Sequence, residues 1–435
     1  MSLQQIENTI EHTKTQSTQI KHAVFGAAIG NLIEWFDYAS YGYLATIIAA
    51  VFFAPGNEKA ALLGTFGVFA VSFLARPIGG LVWGHYGDRL GRKRVLVLTI
   101  IMMSLATFTI GLLPGYASIG FAAPCLLLIC RIVQGFSASG EYAGASLFIA
   151  EYAPAERRGL LVSMVPASTA AGLLLGAFTA VLLEYGLTQD SLHSWGWRIP
   201  FLVSGPLGLI ALYIRMKLED TPVFNEMEHE ETHQPILSSV RQNRQQILVA
   251  FGVICLNAVG FYIILSYMPT YLVNELGFNS ITGISTTIVS LATYVILLPF
   301  AGMLADRIGR KPVLISACIL FILFTYPIFL LLSQGGIYAV TAQILLGAIL
   351  AGNDGVLAAF LSEMFPSSVR YTCFGLSFNM GNAIFGGTAP FIATFLIMQT
   401  NNTFAPAFYL MAAALIAFLA LLRTKETANK SLLEK

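Results

Sequence analysis

Gly84-His85-Tyr86-Gly87-Asp88-Arg89-Leu90-Gly91-Arg92-Lys93 returns later in the chain as Gly302-Met303-Leu304-Ala305-Asp306-Arg307-Ile308-Gly309-Arg310-Lys311. Each copy closes one long apolar run and opens the next. A second pair repeats in the same sense: Glu151 to Pro154 followed by Arg158, and Glu363 to Pro366 followed by Arg370, at a constant offset of 212. Two internal matches of this specificity mark a duplicated unit. A duplicated set of membrane helices is a transporter signature, with the binding site near the bilayer midplane between the repeats.

Outward from these loops the chain is apolar almost throughout. Hydrophobic residues make up 56% of it and charged residues 11%, against about 25% charged in soluble domains. A helical span needs about 20 apolar residues. The sequence predicts twelve spans, near 23–51, 60–84, 95–114, 120–150, 159–184, 198–216, 245–273, 281–304, 312–333, 337–362, 371–398 and 404–422. The expected fold is all-α: two pseudo-symmetric bundles of six transmembrane helices. The expected units are a cytoplasmic N-terminal segment 1–22, a bundle 23–216, a cytoplasmic loop 217–244, a bundle 245–423 and a cytoplasmic tail 424–435.

Basic residues set the orientation. Arg89, Arg92, Lys93, Arg94, Arg157, Arg158, Arg307, Arg310 and Lys311 fall on one side of a twelve-span chain, together with Arg215, Lys217, Arg241, Arg244 and the basic tail. The opposite connections carry almost only Lys59 and Arg198. Both termini are therefore expected in the cytoplasm. The first 22 residues lack the short apolar core of a secretory signal, so the first span is expected to act as an uncleaved insertion signal. No basic cluster resembles a nucleic-acid surface. The five cysteines lack metal-ligand spacing and read as small core hydrophobes. The Glu/His cluster at 226–233 reads as solvated linker, and no metal or cofactor is expected.

Charges inside the spans are where function is expected, because each is costly at bilayer depth. Glu34 and Asp37 lie three apart on the first helix, about 60° from each other and on one face. In the fourth span Arg131, Gln134, Ala138 and Glu141 form one stripe. Arg131 needs a partner from another helix, and Glu34 or Asp37 is the candidate. Its planar fork suits a substrate carboxylate, while Trp35, Tyr38 and Tyr142 offer aromatic faces to a desolvated cation. Coupling protons are assigned to Glu34 and Asp37 first and Glu141 next. Adding 212 sets Glu141 opposite Asn353, beside Asp354, and Arg131 opposite Gln343. Asn257 and Tyr262 of the seventh span, aligned to Asn31 and Phe36, join the expected binding residues, as do Asn379 and Asn382. These last two either orient a solute or bridge helices. Asp88, Arg89, Arg92, Asp306, Arg307 and Arg310 are the expected conformational latch, with each Asp complementing a helix N-terminus. Arg76 is the one further intramembrane cation and is placed nearer the cytoplasmic end. That shortage of cations favours a substrate with a single carboxylate.

The Gly-x-x-x-Asp-Arg-x-Gly-Arg-Lys loops resemble the signature of the major facilitator superfamily. The stretches Gly30 to Asp37, Phe73 to Gly80, Gln134 to Tyr142 and Trp195 to Phe201 are similar to the metabolite:proton symporters within it. Tyr267 to Leu272 and Lys425 to Asn429 resemble the proline/glycine-betaine branch. The resemblance covers roughly residues 20–430. It implies proton-coupled import of a small zwitterionic compatible solute by alternating access, by a monomer in a bacterial inner membrane. Osmosensing members often continue into a long coiled-coil tail, which this sequence does not include. A di- or tricarboxylate symporter such as one for 2-oxoglutarate or citrate is the alternative, and a drug/proton antiporter a more distant one. Neither the filter-like loop of a channel nor the nucleophile–base or metal arrangement of an intramembrane enzyme is present in the sequence, so the chain is not expected to be an enzyme.

Overall fold

A bilayer offers no water to unpaired N–H and C=O groups, so the apolar runs must close their hydrogen bonds within helices. The computed structural model describes residues 3–56, 58–221, 223–224 and 236–432, and these contain helices and no strand. The first half holds α1 (Leu3–Tyr43, extended by Ala45–Phe52), α2 (Glu58–Leu90), α3 (Arg92–Leu112), α4 (Ala122–Tyr152), α5 (Met164–Gly186) and α6 (Ile199–Met216). The second holds α7 (Arg244–Phe261), α8 (Ser280–Ile308), α9 (Arg310–Ser333), α10 (Gly336–Met364), α11 (Arg370–Gly381) and α12 (Ala405–Leu422). Eleven of these segments are long and apolar enough to cross a membrane; the twelfth is the carboxylate-bearing α1.

The halves pack in corresponding ways. α1 lies along α5 and α2 along α4; in the other half α7 lies along α11 and α8 along α10. Between halves α2 packs on α11, and α8 on α5. Small residues allow that closeness: a Cβ added at Gly84 of α2 would lie 2.5 Å from the Thr372 Cα of α11. The outer surface stays apolar, with Leu105, Phe178, Ile296 and Leu323 largely exposed, as lipid contact requires.

Two helices depart from regular winding. α7 passes through a π-helical stretch at Tyr262–Tyr267 before Met268–Asn274, and α11 through another at Asn382–Gly386 before Ala389–Thr400. Such wide turns concentrate at functional sites. The expected separate N-terminal segment is instead continuous with α1, which starts at Leu3. The polar Glu/His cluster at 226–233 lies outside the described residues.

Candidate functional site

The two α1 carboxylates meet different arginines from different helices. Asp37 Oδ2 lies 3.4 Å from Arg131 Nη1 of α4 and accepts from Gln134 Nε2 at 2.7 Å. Gln134 is held in turn, accepting from Arg131 at 3.0 Å and donating to Thr107 of α3 at 2.7 Å. Glu34 Oε1 instead lies 3.6 Å from Arg76 Nη2 of α2. Arg76, set nearer the cytoplasmic end by the sequence, lies midway along α2 and is buried. Its guanidinium sits 4.6 Å from the Phe73 ring, 4.9 Å from Tyr38 and 5.9 Å from Trp35. Arg131 lies 5.0 Å from the same Tyr38 ring and 4.0 Å from Tyr41. Two cations therefore flank one tyrosine.

The pairing leaves much unsatisfied. Glu34 Oε2, Asp37 Oδ1, Nε and Nη2 of both Arg76 and Arg131, Trp35 Nε1, Tyr38 OH and Tyr262 OH are all buried without a hydrogen-bond partner. Each such group costs about 1–3 kcal/mol unpaired. So many unsatisfied buried groups on neighbouring side chains call for a structural or functional explanation.

Glu141 is tied differently. The Arg215 guanidinium grips both of its carboxylate oxygens, and Thr99 donates to Oε2 at 3.0 Å. Arg215, counted with the loop in the sequence, is buried in the last turn of α6 and also donates to the Gly26 and Leu96 carbonyls. Gly30 makes room for it, since a Cβ there would run into the guanidinium. Between Glu34 and Glu141 lies a cavity of about 10 Å³, lined also by Gly30, Ile33, Thr99 and Ser137. That is about the room one water needs.

The second half contributes one acid. Asp354 accepts from Tyr294 OH at 2.7 Å and from Asn353 Nδ2 at 2.8 Å, and has no arginine or lysine partner among the described residues. Gln343, set opposite Arg131 by the repeat offset, has both side-chain polar atoms unpartnered. Aromatic contacts join the halves here: Tyr142 stacks parallel on Phe378 at 4.2 Å, Trp35 meets Phe261 edge-on at 5.2 Å, and Phe73 meets Tyr262 at 5.8 Å. Asn257 is buried on α7, one turn before Phe261. Asn379 bridges helices, donating to the Ser139 carbonyl of α4 and to its own Gly375, while Asn382 donates only to Phe378 within α11.

At the end rich in arginine the halves are clamped. Asp88, at the foot of α2, accepts from the Tyr371 and Thr372 N–H groups at 3.1 and 2.9 Å, and from the Thr372 hydroxyl at 2.8 Å. These are first-turn donors of α11. Asp306 mirrors it, accepting from the Gly159 and Leu160 N–H groups at 2.7 and 2.9 Å. Behind each clamp stands a glutamate: Glu151 with Arg92 and Arg370, Glu363 with Arg158 and Arg310. Arg89 and Arg307, expected in the latch, are exposed and make no ion pair among the described residues. The repeat extends past the helices. Asp220 accepts from the Arg92 and Lys93 N–H groups, and Glu426 from those of Arg310 and Lys311. Thr221 donates to Glu151, as Thr427 does to Glu363. Glu151 and Glu363 were visible as a repeat but had no role until the fold paired them with arginines.

The chain matches the family model for sugar (and other) transporters twice, over residues 23–234 and 224–435. It therefore belongs to that family of the major facilitator superfamily, as a multi-pass membrane transporter of small solutes and not an enzyme. A proline/betaine transporter of Salmonella typhimurium is 37% identical over 426 residues, covering 95% of this chain and 85% of the relative. An ectoine/proline transporter of Corynebacterium glutamicum is 38% identical over 432 residues, 95% of this chain and 86% of the relative. A putative proline/betaine transporter of Staphylococcus aureus reaches 40% over 424 residues, 95% and 90%. Among solved structures, a proton:xylose symporter with a bound sugar analogue superposes with a TM-score of 0.80 at 20% identity, covering 96% of this chain and 98% of that one. That likeness is one of fold.

Proposed function

We propose that the chain is a proton-coupled symporter that imports a small zwitterion of the proline or glycine-betaine class across a bacterial inner membrane, with its arginine-rich end and both termini in the cytoplasm. The observation that carries the reading is the set of unpartnered donors around Glu34 and Asp37. The free edges of Arg76 and Arg131 would take the solute carboxylate in a forked contact. Its ammonium or quaternary nitrogen would lie against Trp35, Phe261 and Tyr262, with Asp354 beyond.

Charge balance supports the coupling. Leaving aside the clamped arginine-rich end, four buried acids (Glu34, Asp37, Glu141 and Asp354) stand against three buried arginines (Arg76, Arg131 and Arg215). One proton neutralises the excess and allows the site to move through the bilayer uncharged. Among the acids Glu141 is fully held by Arg215, whereas Glu34 has a free oxygen beside a water-sized cavity. Glu34 is therefore the leading proton carrier and Asp37 the second. The same balance disfavours a dicarboxylate, which would add two negative charges, although Arg76 supplies the second cation such a substrate wants. The clamps at Asp88 and Asp306 hold the cytoplasmic end closed, and residues 23–216 and 245–423 rock about the site between them.

Counterflow in proteoliposomes with labelled proline, glycine betaine and 2-oxoglutarate tests the substrate. Exchange of proline or betaine and not the dicarboxylate is expected; exchange of 2-oxoglutarate alone would reverse the assignment. One charge moving inward is worth about 2.3 kcal/mol per 100 mV, roughly a 50-fold accumulation of a neutral solute. With Glu34→Gln the accumulation ratio is expected to fall to about 1. Undiminished proton-driven accumulation in both Glu34→Gln and Asp37→Asn would sink the coupling scheme.

A further inference from the structure

The two halves differ where symmetry says they should agree. Gly26 and Asn31 of α1 correspond to Gly252 and Asn257 of α7, and the Asp220-Thr221 pair after α6 corresponds to Glu426-Thr427 after α12. In the first half the groove between α1 and the segment after α6 is filled. Leu218 packs against Gly26, so closely that its Cδ1 would lie 2.8 Å from a Cβ there, and further along the segment Val223 and Phe224 are buried, Phe224 with its ring toward Gly91 and Arg92. In the second half the same three positions are Thr424, Asn429 and Lys430. The groove there stays open, as a cavity of about 870 Å³ bounded by α7, α10, α12 and the tail.

Its lining has the two-part chemistry of a phospholipid. At the arginine-rich end stand Arg423, Lys425 and Lys430, none in an ion pair among the described residues, with the amides of Gln245 and Gln246 opposite. Toward the bilayer the wall is Leu248, Ile416 and Leu419, which are 67%, 46% and 54% exposed. Glu363 lines the floor, but its oxygens already accept from Arg158, Arg310 and Thr427. It therefore offers an incoming anion no free negative face. Filling residues in one half replaced by a cationic opening in the other is a difference that membrane topology alone does not require: basic residues could sit on this rim without a cavity beneath them.

We infer that this groove binds an anionic phospholipid of the cytoplasmic leaflet, with the phosphodiester among Arg423, Lys425 and Lys430 and an acyl chain along Leu248, Ile416 and Leu419. Placing it in that leaflet rests on the orientation proposed above; binding itself does not. Basic pockets between helices at this depth suit such headgroups. Because the tail that bears Lys430 also supplies its backbone carbonyl to Arg158 across the interface between halves, a seated lipid braces the closed cytoplasmic end.

The test is native mass spectrometry of the full-length protein in detergent, titrated with phosphatidylglycerol or phosphatidylcholine of matched chains. Phosphatidylglycerol is expected to be retained in preference. Its affinity should fall roughly a hundredfold in the triple variant Arg423→Gln, Lys425→Gln, Lys430→Gln, from the loss of three near-surface cations. Thr424→Leu with Lys430→Phe transplants the first half's filling and is expected to expel the lipid while two cations remain; it also carries the test if the triple variant misfolds. Removing three exposed cations elsewhere, Arg89→Gln, Arg94→Gln and Arg157→Gln, should leave affinity unchanged. Equal retention of both lipids, wild-type binding by the filled variant, or an equal loss in that control would each overturn the inference. Displacement by millimolar inorganic phosphate would reduce the groove to a free-phosphate site and overturn the lipid assignment.

Discussion

Asp88→Asn changes one atom of the α2–α11 clamp and should open the arginine-rich end. The wild-type carboxylate takes three hydrogen bonds from the first turn of α11, at 2.8 to 3.1 Å, with both oxygens used. Bonds to a charged group contribute about 1.5–3 kcal/mol each, against about 0.5–1.5 for neutral ones. An asparagine keeps one carbonyl acceptor, turns an NH2 toward the remaining N–H donors, and loses the charge that complements the helix terminus. The sum is about 2–4 kcal/mol, a shift of roughly 30- to 700-fold toward the open arrangement. Asp306→Asn should act alike through Gly159 and Leu160, and the two should combine nearly additively because they sit on separate helix pairs. Spin labels at the exposed positions Arg94 and Ser316, in a background without native cysteines, read the separation of the halves by double electron–electron resonance. A second, longer-distance population is expected in each variant and a dominant one in the double variant. Unchanged distance distributions in the double variant would show that these carboxylates do not hold the closed state.

Three further outcomes follow from the same contacts. Gly84→Ala should also pry this end open, because its Cβ would meet the Thr372 backbone at 2.5 Å; the same label pair reports it, and an unaltered distribution would contradict the close-contact role. Glu141→Gln strands Arg215 without a counter-ion in the membrane interior, which should cost about 3–5 kcal/mol of stability in thermal unfolding. A loss equal to that of Glu34→Gln would remove the distinction drawn between the two acids. Outside the spans, burial pushes the Glu426 carboxyl up, but the N–H groups of Ala428, Arg310, Lys311 and Thr427 outweigh it and hold it below its usual 4.5. A depressed carboxyl stabilises above its unfolded value and loses that contribution as pH falls through the folded one. Unfolding temperature should therefore drop below about pH 4.5, and Glu426→Gln should flatten that drop.

The fold was legible because the Asp88 and Asp306 loops repeat with their spacing intact, and a duplicated apolar unit leaves few arrangements in a bilayer. The site was legible in part. Asp37 with Arg131 was among the expected pairings, since an intramembrane arginine must find a carboxylate. Arg76 and Arg215 were set toward the polar end because the acids they pair with lie on other helices. Arg76 lies midway along α2 and Arg215 in the last turn of α6, each turned toward an acid of another helix. Helix-to-helix partners such as Glu141 with Arg215 depend on azimuth, and twelve predicted cylinders do not fix their relative rotation. The roles of Glu151 and Glu363 were hidden for the same reason, although their shared offset was the available signal.

The π-helical stretches of α7 and α11 have a consequence for how the gate is built. An α-helix advances about 100° per residue, so tightening one such turn to regular winding swings everything beyond it by one residue's rotation. Tyr267 closes the first stretch and Tyr271 follows it, bonded to Thr394 and to the Thr403 carbonyl. Both stretches belong to the second half, and the corresponding helices of the first half carry none among the described residues. Slack of this kind is confined, among the described residues, to the second half, where a change of winding would re-aim its tyrosines without unwinding either helix.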